Sequence, residues 1–214
     1  MKNRKKDIAL ALVLTIFIIS FAVVVTVFFK QLYYFDIGYL DIAKDTGLSV
    51  DVIKKNYDVL IEYQSLFYRG TLALPDFIMS TTGRIHFEEV KRVFEVVQLT
   101  CLISGLISAV MIYFNMKEKE YRFLRLTSFF SIGIPTVLAF FVALDFDKAF
   151  VIFHNIVFRN DYWIFNYQTD PVITILPESF FMHCFILIVL IVNVVSIGCY
   201  VLYKRKERSI LKSL

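Results

Sequence analysis

Residues 8–29 read IALALVLTIFIISFAVVVTVFF, a run of 22 residues that contains no charged side chain. A helix rises about 1.5 Å per residue, so this run is long enough to cross a hydrocarbon core roughly 30 Å thick. Four basic residues precede it, as in a secretory signal peptide, but the run is longer than a typical signal core and no small-residue cleavage site follows it. We therefore predict a retained membrane helix.

Three further uncharged runs have the same character, namely Val96–Met116, Leu126–Leu144 and Ser179–Tyr203. The chain is 58% hydrophobic and only 20% charged, which is typical of an integral membrane protein and not of a soluble domain. The fold class predicted is an all-α membrane protein with four transmembrane helices, residues 1–214 forming a single membrane domain. The predicted helices cover residues 8–29, 94–116, 124–144 and 179–203.

The basic residues indicate the orientation of these helices. Residues 1–6, 117–125 and 204–214 hold 4, 4 and 5 Lys or Arg, whereas 31–92 holds 7 in 62 residues and 145–178 holds 2 in 34 residues. Because Lys and Arg concentrate on the cytoplasmic side, both termini and the short central loop are predicted to be cytoplasmic. The segments 31–92 and 145–178 then face outside, where we expect them to form an extracellular cap.

Several functional classes fit the composition poorly. The net charge of +4 is not gathered on a soluble basic face, so a nucleic-acid partner is not expected. The apolar runs contain no Asp, Glu, Lys or Arg, which disfavours a transporter or channel. All three cysteines, Cys101, Cys184 and Cys199, fall within the predicted helices and are expected to be packing residues.

Residues 31–92 and 145–181, which comprise the two outward segments and the first residues of the last apolar run, carry 20 of the 36 aromatic residues. Ser49 is predicted to cap an amphipathic helix that runs from Val50 to about Phe67. The aromatic residues are consistent with an interfacial belt, because amphipathic rings favour the headgroup level. They are equally consistent with the walls of a pocket for a lipid-bearing substrate.

Candidate chemistry rests on the histidines, because the common motifs for catalytic nucleophiles, metals and phosphates do not occur. His86 lies ten residues before the second apolar run and His154 ten residues after the third, so each outward segment brings one histidine to the same membrane level. Two imidazoles can act as base and as acid or oxyanion donor when the substrate supplies the nucleophile. His183, inside the fourth run, is expected to be non-catalytic and bonded to a neighbouring Ser, Thr or carbonyl. The competing interpretation is a three-histidine metal site.

The sequence resembles the lipoprotein intramolecular transacylase family along nearly the whole chain. One matching block is Asn56-Tyr57-x-x-Leu60-Ile61-x-Tyr63, and a second is Phe77-x-x-Ser80-x-x-Gly83-x-x-His86-Phe87-x-Glu89-Val90-Lys91. The third block comprises His154, Phe158, Asn160, Asp161, Trp163, Asp170, Pro171, Pro177, Phe180 and Phe181.

This resemblance implies four membrane helices, an extracellular cap, and a pair of catalytic histidines that correspond to His86 and His154. It also implies an activity that moves the sn-2 acyl chain of a diacylglyceryl-modified lipoprotein onto the α-amino group of its N-terminal cysteine, giving the lyso form. Such an enzyme is located in the bacterial plasma membrane with its active site at the outer face and membrane lipids around it. No metal and no cofactor are expected.

Other residues are candidates for orienting the histidines or the substrate, and each is also consistent with a purely structural role. They are Asn56, Tyr57, Arg69, Asn155, Phe158, Asp161 and Trp163. The alternative to an enzyme is a non-enzymatic membrane subunit that binds lipid or docks a partner through its aromatic residues.

Overall fold

The computed structural model describes residues 4–211, which form eight α-helices and one short 3-10 helix. In chain order these are α1 (Arg4–Phe28), α2 (Lys30–Tyr39), α3 (Ile42–Thr46), α4 (Val50–Tyr63), α5 (Thr81–Lys117), α6 (Arg122–Leu144), α7 (Phe146–Val157), the 3-10 helix Pro171–Ile175 and α8 (Glu178–Leu211). The helices α1, α5, α6 and α8 are long and apolar enough to cross a membrane. The predicted fold class, an all-α membrane protein with four such helices, is confirmed.

The predicted amphipathic helix is present as α4, but it is shorter than expected. Its start is as predicted, because the Ser49 hydroxyl accepts a hydrogen bond from the Val52 N–H at 3.3 Å. Its end lies at Tyr63 and not near Phe67. The Lys91 ammonium group donates to the carbonyl oxygens of Tyr63 at 2.6 Å and Ser65 at 3.0 Å. A side chain from α5 therefore satisfies carbonyl groups that the end of α4 leaves open.

The contacts divide the chain into two compact units. The first, here called the terminal unit, runs from the first described residue to Val24, over Val97–Phe141, and from Leu187 to the last described residue. The second comprises Val25–Val96 and Val142–Ile186 and is called the histidine unit, because it holds all three histidines.

The terminal unit is a helix bundle with an apolar interior and an apolar exterior. Gly105 allows α5 to approach α1 closely, because a Cβ atom there would lie 2.9 Å from the Phe17 ring. The hydroxyl groups of Ser131 and Ser196 are 2.6 Å apart and link α6 to α8. On the outside, Leu106 is 70% and Val194 is 69% exposed. A surface of this kind is matched to lipid tails, which are as apolar as leucine.

The histidine unit has its own core, built around stacked aromatic rings. The rings of Tyr33 and Tyr57 stack at 3.7 Å between centroids, and the edge of Phe180 packs on Tyr33 at 5.0 Å. The Tyr33 hydroxyl donates to the Ile175 carbonyl at 2.5 Å. These contacts join α2, α4, the 3-10 helix and the start of α8, and Phe87 of α5 belongs to the same buried core, so the helices that carry His86 and His183 share one core.

Candidate active site

The start of α5 explains the spacing of the most specific sequence block. The Ser80 hydroxyl caps the helix by accepting the Gly83 N–H at 3.0 Å, and the Ser80 N–H donates to the Asp170 carboxylate at 2.7 Å. Gly83 is required for close approach, since a Cβ atom there would overlap that carboxylate. Residues spaced by three share a helix face, so this anchored face also carries His86.

The second histidine is oriented within its own helix. Asp145 caps α7 by accepting the Lys148 N–H at 2.9 Å. Two turns later, the Nδ1 atom of His154 lies 2.8 Å from the carbonyl oxygen of Phe150. Because a carbonyl oxygen can only accept a hydrogen bond, Nδ1 carries the proton of the neutral ring. The lone pair of the neutral imidazole is therefore on Nε2.

The rings of His86 and His154 lie 6.1 Å apart between centroids, with their planes inclined at 34°. Aromatic rings surround the pair. Phe158 meets His86 edge-on at 4.7 Å, and Trp163 lies 4.7 Å from His154. Phe165 packs on His86 at 5.4 Å, completing an enclosure that leaves His86 only 5% exposed. We call these rings, together with Phe150, which lies 4.1 Å from His154, the aromatic enclosure.

Two buried polar atoms in this region have no hydrogen-bond partner among the described residues. They are Nδ1 of His86 and the indole Nε1 of Trp163. Buried polar atoms in proteins are nearly always paired, and a catalytic role or a bound water or ion is among the explanations of the exceptions. The hydrogen-bonding capacity of His86 is thus not used by the protein itself.

The surroundings keep both imidazoles neutral. Burial, and to a smaller extent the nearby His154, lowers the pKa of His86 to about 4. Burial also lowers the pKa of His154, while the hydrogen bond to the Phe150 carbonyl opposes part of that change. At neutral pH the site therefore offers one imidazole with a fixed Nε2 lone pair and a second whose Nδ1 is unpaired.

Two of the sequence-predicted orienting residues reach this pair and two are elsewhere. Phe158 and Trp163 belong to the aromatic enclosure. Asn56 and Tyr57 lie in the core of the unit, where Asn56 is fully buried and bonds to Asp76 through both its amide nitrogen, at 2.8 Å, and its amide oxygen, at 3.2 Å. Their contacts are structural.

The three remaining candidates have exposed side chains. The Arg69 guanidinium donates to the carbonyl of Leu66 at 3.3 Å, three residues back in the chain. Asn155 and Asp161 are exposed and make no side-chain hydrogen bond within the described chain. None of these three side chains forms a hydrogen bond with a histidine ring in the part of the chain that the structure describes.

His183 occupies a different environment from the other two histidines. Its Nδ1 lies 2.8 Å and 3.0 Å from the two carboxylate oxygens of Asp36, a residue with no exposed surface. The expectation of a Ser, Thr or carbonyl partner was wrong, because α2 brings a carboxylate from 147 residues away. The Tyr39 ring packs beside it at 5.7 Å.

Sequence reasoning missed several residues of the site. Phe150 contributes its main-chain carbonyl, which no side-chain pattern could reveal. Glu89 and Asn160 are hydrogen-bonded to each other across the site, with Nδ2 of Asn160 at 2.9 Å and 3.2 Å from the two carboxylate oxygens. The available signal was that Glu89 follows His86 by three residues, on the same helix face.

Comparison with known proteins gives concordant results. A family model described as lipoprotein intramolecular transacylase Lit matches residues 8–181. The solved structure of the membrane-integral lipoprotein intramolecular transacylase Lit from Bacillus cereus superposes with a TM-score of 0.95 at 38% identity, covering 98% of this chain and 97% of that one. No curated protein sequence matches significantly.

Two variants of the Bacillus cereus protein, in which one histidine is replaced by arginine or by alanine, are also similar. Their TM-scores are 0.90 and 0.89, each at 38% identity, with coverage of 99% and 98% of this chain and 94% and 95% of theirs. A family model over most of the sequence and a fold shared at this identity lead to the same conclusion. The chain belongs to the lipoprotein intramolecular transacylase (Lit) family and is a membrane-integral acyltransferase.

Proposed function

We propose that this chain moves the sn-2 acyl chain of a diacylglyceryl-modified lipoprotein onto the α-amino group of the N-terminal cysteine in the same molecule. The amine nitrogen forms an amide bond with the acyl carbonyl carbon, and the ester bond from that carbon to the glyceryl oxygen breaks. The amine loses one proton and the departing oxygen gains one. Atoms balance without water or a second substrate, which is consistent with the intramolecular reaction in the family's name.

His154 is the general base in this proposal. The observation that carries the assignment is its Nδ1 contact with the Phe150 carbonyl, which leaves the lone pair on Nε2. Once the amine has attacked the ester, its nitrogen becomes far more acidic, and a neutral imidazole can remove the proton. The same proton on Nε2 is then available to the departing glyceryl oxygen. Proton transfer by a positioned group of this kind typically contributes 10²–10⁴-fold to a rate.

His86 is the partner that stabilises the oxyanion. Its low pKa keeps it a neutral imidazole, so the developing negative charge meets an N–H donor and not a fixed positive charge. Burial makes such a donor more effective, because it acts in a medium of lower dielectric constant than water. The unpaired Nδ1 supports this role, since the described protein groups leave this hydrogen-bonding capacity of the ring unused.

The aromatic enclosure has two functions in the proposed reaction. It gives the flexible acyl chain an apolar wall, so that the amine and the ester of one molecule are held together, and orientation can lower a barrier by several kcal/mol. It also excludes water, which would hydrolyse the ester instead of allowing transfer to the amine.

We place the histidine unit at the outer face of the bacterial cell membrane, with both termini in the cytoplasm. The support is the distribution of Lys and Arg, which are dense in 1–6, 117–125 and 204–214 and sparse in 145–178. In this arrangement residues 31–92 and 145–178 form an extracellular cap. Membrane lipids cover the exposed apolar side chains of the long helices.

The proposal is tested by expressing the protein in a bacterial strain that makes only diacylated lipoproteins. Mass spectrometry of the N-terminal lipopeptide is expected to show the gain of an N-acyl group and the loss of one O-acyl group. The doubly substituted His86→Ala, His154→Ala protein is the matched control. An unchanged peptide, with the wild-type protein present in the membrane, contradicts the proposal and favours a non-enzymatic lipid-binding or docking subunit.

A further inference from the structure

The segment that follows α7 contacts both histidines with its two ends. The Phe158 N–H donates to the His154 carbonyl at 2.9 Å, while the Phe158 ring packs on His86. Five residues later, the chain returns and Trp163 packs on His154. The conformation of residues 158–163 thus determines the position of two rings of the aromatic enclosure.

This reversal of the chain is organised by one side chain, that of Asn160. Its amide oxygen accepts the Tyr162 N–H at 3.0 Å, and its amide nitrogen donates to the Phe158 carbonyl at 3.0 Å. The preceding residue, Arg159, has a φ of 54°, in the left-handed region that non-glycine residues adopt at a cost. A strained turn of this kind persists only when other contacts hold it.

Glu89 supplies such a contact from another element. It lies three residues after His86 on α5, and both of its carboxylate oxygens accept from the Asn160 amide nitrogen, at 2.9 Å and 3.2 Å. Within residues 4–211, no lysine or arginine forms an ion pair with Glu89. The carboxylate is half-buried, and its described hydrogen-bond partner is Asn160.

We propose that Glu89 and Asn160 are a positioning pair, which fixes Trp163 and Phe158 against the two histidines and thereby sets the geometry for acyl transfer. The inference rests on the proposed roles of His86 and His154. It assigns the contribution of Glu89 to its hydrogen bond with Asn160 and not to its negative charge. One helix face then carries both a catalytic imidazole and the anchor for the segment that encloses it.

The test is an exchange of hydrogen-bonding groups between the two positions. Asn160→Asp keeps the acceptor for the Tyr162 N–H but loses the donor, so two carboxylates face each other. Glu89→Gln keeps an acceptor oxygen for Asn160. The double variant Glu89→Gln, Asn160→Asp restores a hydrogen bond of reversed polarity, from the Gln amide to the Asp carboxylate.

We expect N-acyl transfer by Asn160→Asp to fall by about 10²-fold, because a displacement of about 1 Å in a reacting geometry costs this much. Glu89→Gln is expected to stay within about threefold of wild type and the double variant to recover to within about tenfold, since one hydrogen bond is worth roughly 1 kcal/mol. The matched control is Asn166→Asp. Asn166 makes the same kind of local turn, accepting the Gln168 N–H at 2.9 Å, and has no hydrogen bond to α5 in the described chain.

A second readout comes from Trp163, which is the single tryptophan of the chain. If Asn160 positions this ring, the emission of Asn160→Asp shifts to longer wavelength and is quenched more strongly by acrylamide. The double variant is expected to return both properties towards those of the wild type. The fluorescence is recorded on folded protein, well below its unfolding temperature, so a substitution that merely lowers stability leaves both properties as in the wild type.

The outcomes separate this inference from the proposed function. Activity in His154→Ala would contradict the proposed base, whatever the other variants do. If both histidine variants are inactive and Asn160→Asp is as active as wild type, only the positioning pair is contradicted. A loss in Glu89→Gln as deep as that of Asn160→Asp would show that the charge is needed and overturn the inference. So would a double variant that inserts normally but remains as inactive as Asn160→Asp.

Discussion

The histidine unit contains two kinds of histidine site, and the comparison shows how surroundings determine what an imidazole can do. His86 and His154 lie among aromatic rings, and no carboxylate bonds to either ring within the described chain. His183 contacts both oxygens of the fully buried Asp36. The aromatic surroundings favour the neutral ring and leave nitrogen atoms available, whereas the carboxylate provides a fixed partner that links α2 to α8.

The largest expected effect comes from removing the imidazoles among the aromatic rings. His86→Ala and His154→Ala are each expected to reduce N-acyl transfer by about 10²–10⁴-fold, because each removes one positioned proton-transfer or hydrogen-bonding group. Mass spectrometry of the lipopeptide measures the product, and immunoblotting of membranes establishes that the variant inserts. Near wild-type activity in either variant would return that histidine to a structural role.

Substitution of His183 is expected to lower the stability of the protein and not the rate of the acyl-transfer step. His183→Ala leaves the buried Asp36 carboxylate without its hydrogen-bond partner, and an unsatisfied buried polar group costs about 1–3 kcal/mol, or more where it is charged. His183→Asn keeps a donor for Asp36, so it is expected to unfold at a temperature closer to wild type and to retain most N-acyl transfer.

Thermal unfolding in detergent, together with the lipopeptide assay, distinguishes the two roles of His183. If His183→Asn inserted and melted normally but lost activity as deeply as His86→Ala, then His183 would belong to the catalytic group and the comparison above would fail. Restoration of activity in a chelated preparation by added Zn²⁺ would favour a metal site at the three histidines.

The pH dependence of stability sharpens the same comparison. The pKa of His86 is lowered to about 4 in the folded protein, below the usual value of 6.5, so the unfolded chain binds more protons between these values. The contribution of His86 to the free energy of unfolding is therefore complete above pH 6.5 and is lost by about 3 kcal/mol as the pH falls to 4. His86→Gln is expected to show a correspondingly smaller loss between pH 7 and pH 4.5. An equal acid loss in both proteins would mean that His86 is not kept neutral by burial.

The smallest effect is expected for a substitution of Gly83, at the start of α5, the helix that carries His86. Gly83→Ala places a methyl group against the Asp170 carboxylate and should cost about 1–3 kcal/mol of stability, as overpacking does. Gly38→Ala is the matched control, since a Cβ atom there has nothing within 4 Å and alanine favours a helix by about 0.5–1 kcal/mol. Chemical unfolding of both variants checks this. Equal stability of the two would contradict the close approach at Gly83.

What could be predicted from the sequence is what depends on nearby residues. The 22-residue run at 8–29 and the cap at Ser49 are local properties, and both correspond to observed helix features. That His86 and His154 come together could be anticipated because each lies ten residues from the end of an apolar run. In these cases a membrane-spanning helix, or the regular hydrogen bonding of a helix, relates the position of a residue in the sequence directly to its position in space.

What could not be predicted depends on pairings between distant segments or on the main chain. Lys91 bonds to the carbonyl group of Tyr63, where α4 ends. The hydrogen-bond partner of His183 is Asp36, a residue 147 positions away. Asn56 has the polar character of a site residue, yet its amide is used within the core against Asp76. Polarity alone therefore does not separate a side chain that binds substrate from one that closes a turn.

The hydrogen bond between His154 and the Phe150 carbonyl has a consequence for how this protein can vary. An orienting carboxylate can be lost by a single codon change, but a peptide carbonyl is present whatever residue occupies position 150. The orientation of the His154 ring therefore depends on the helix backbone and is retained when the side chain at position 150 is substituted. A survey of substitutions would record position 150 as governed by size and shape alone, and the group that directs the imidazole would leave no trace in the pattern of accepted residues.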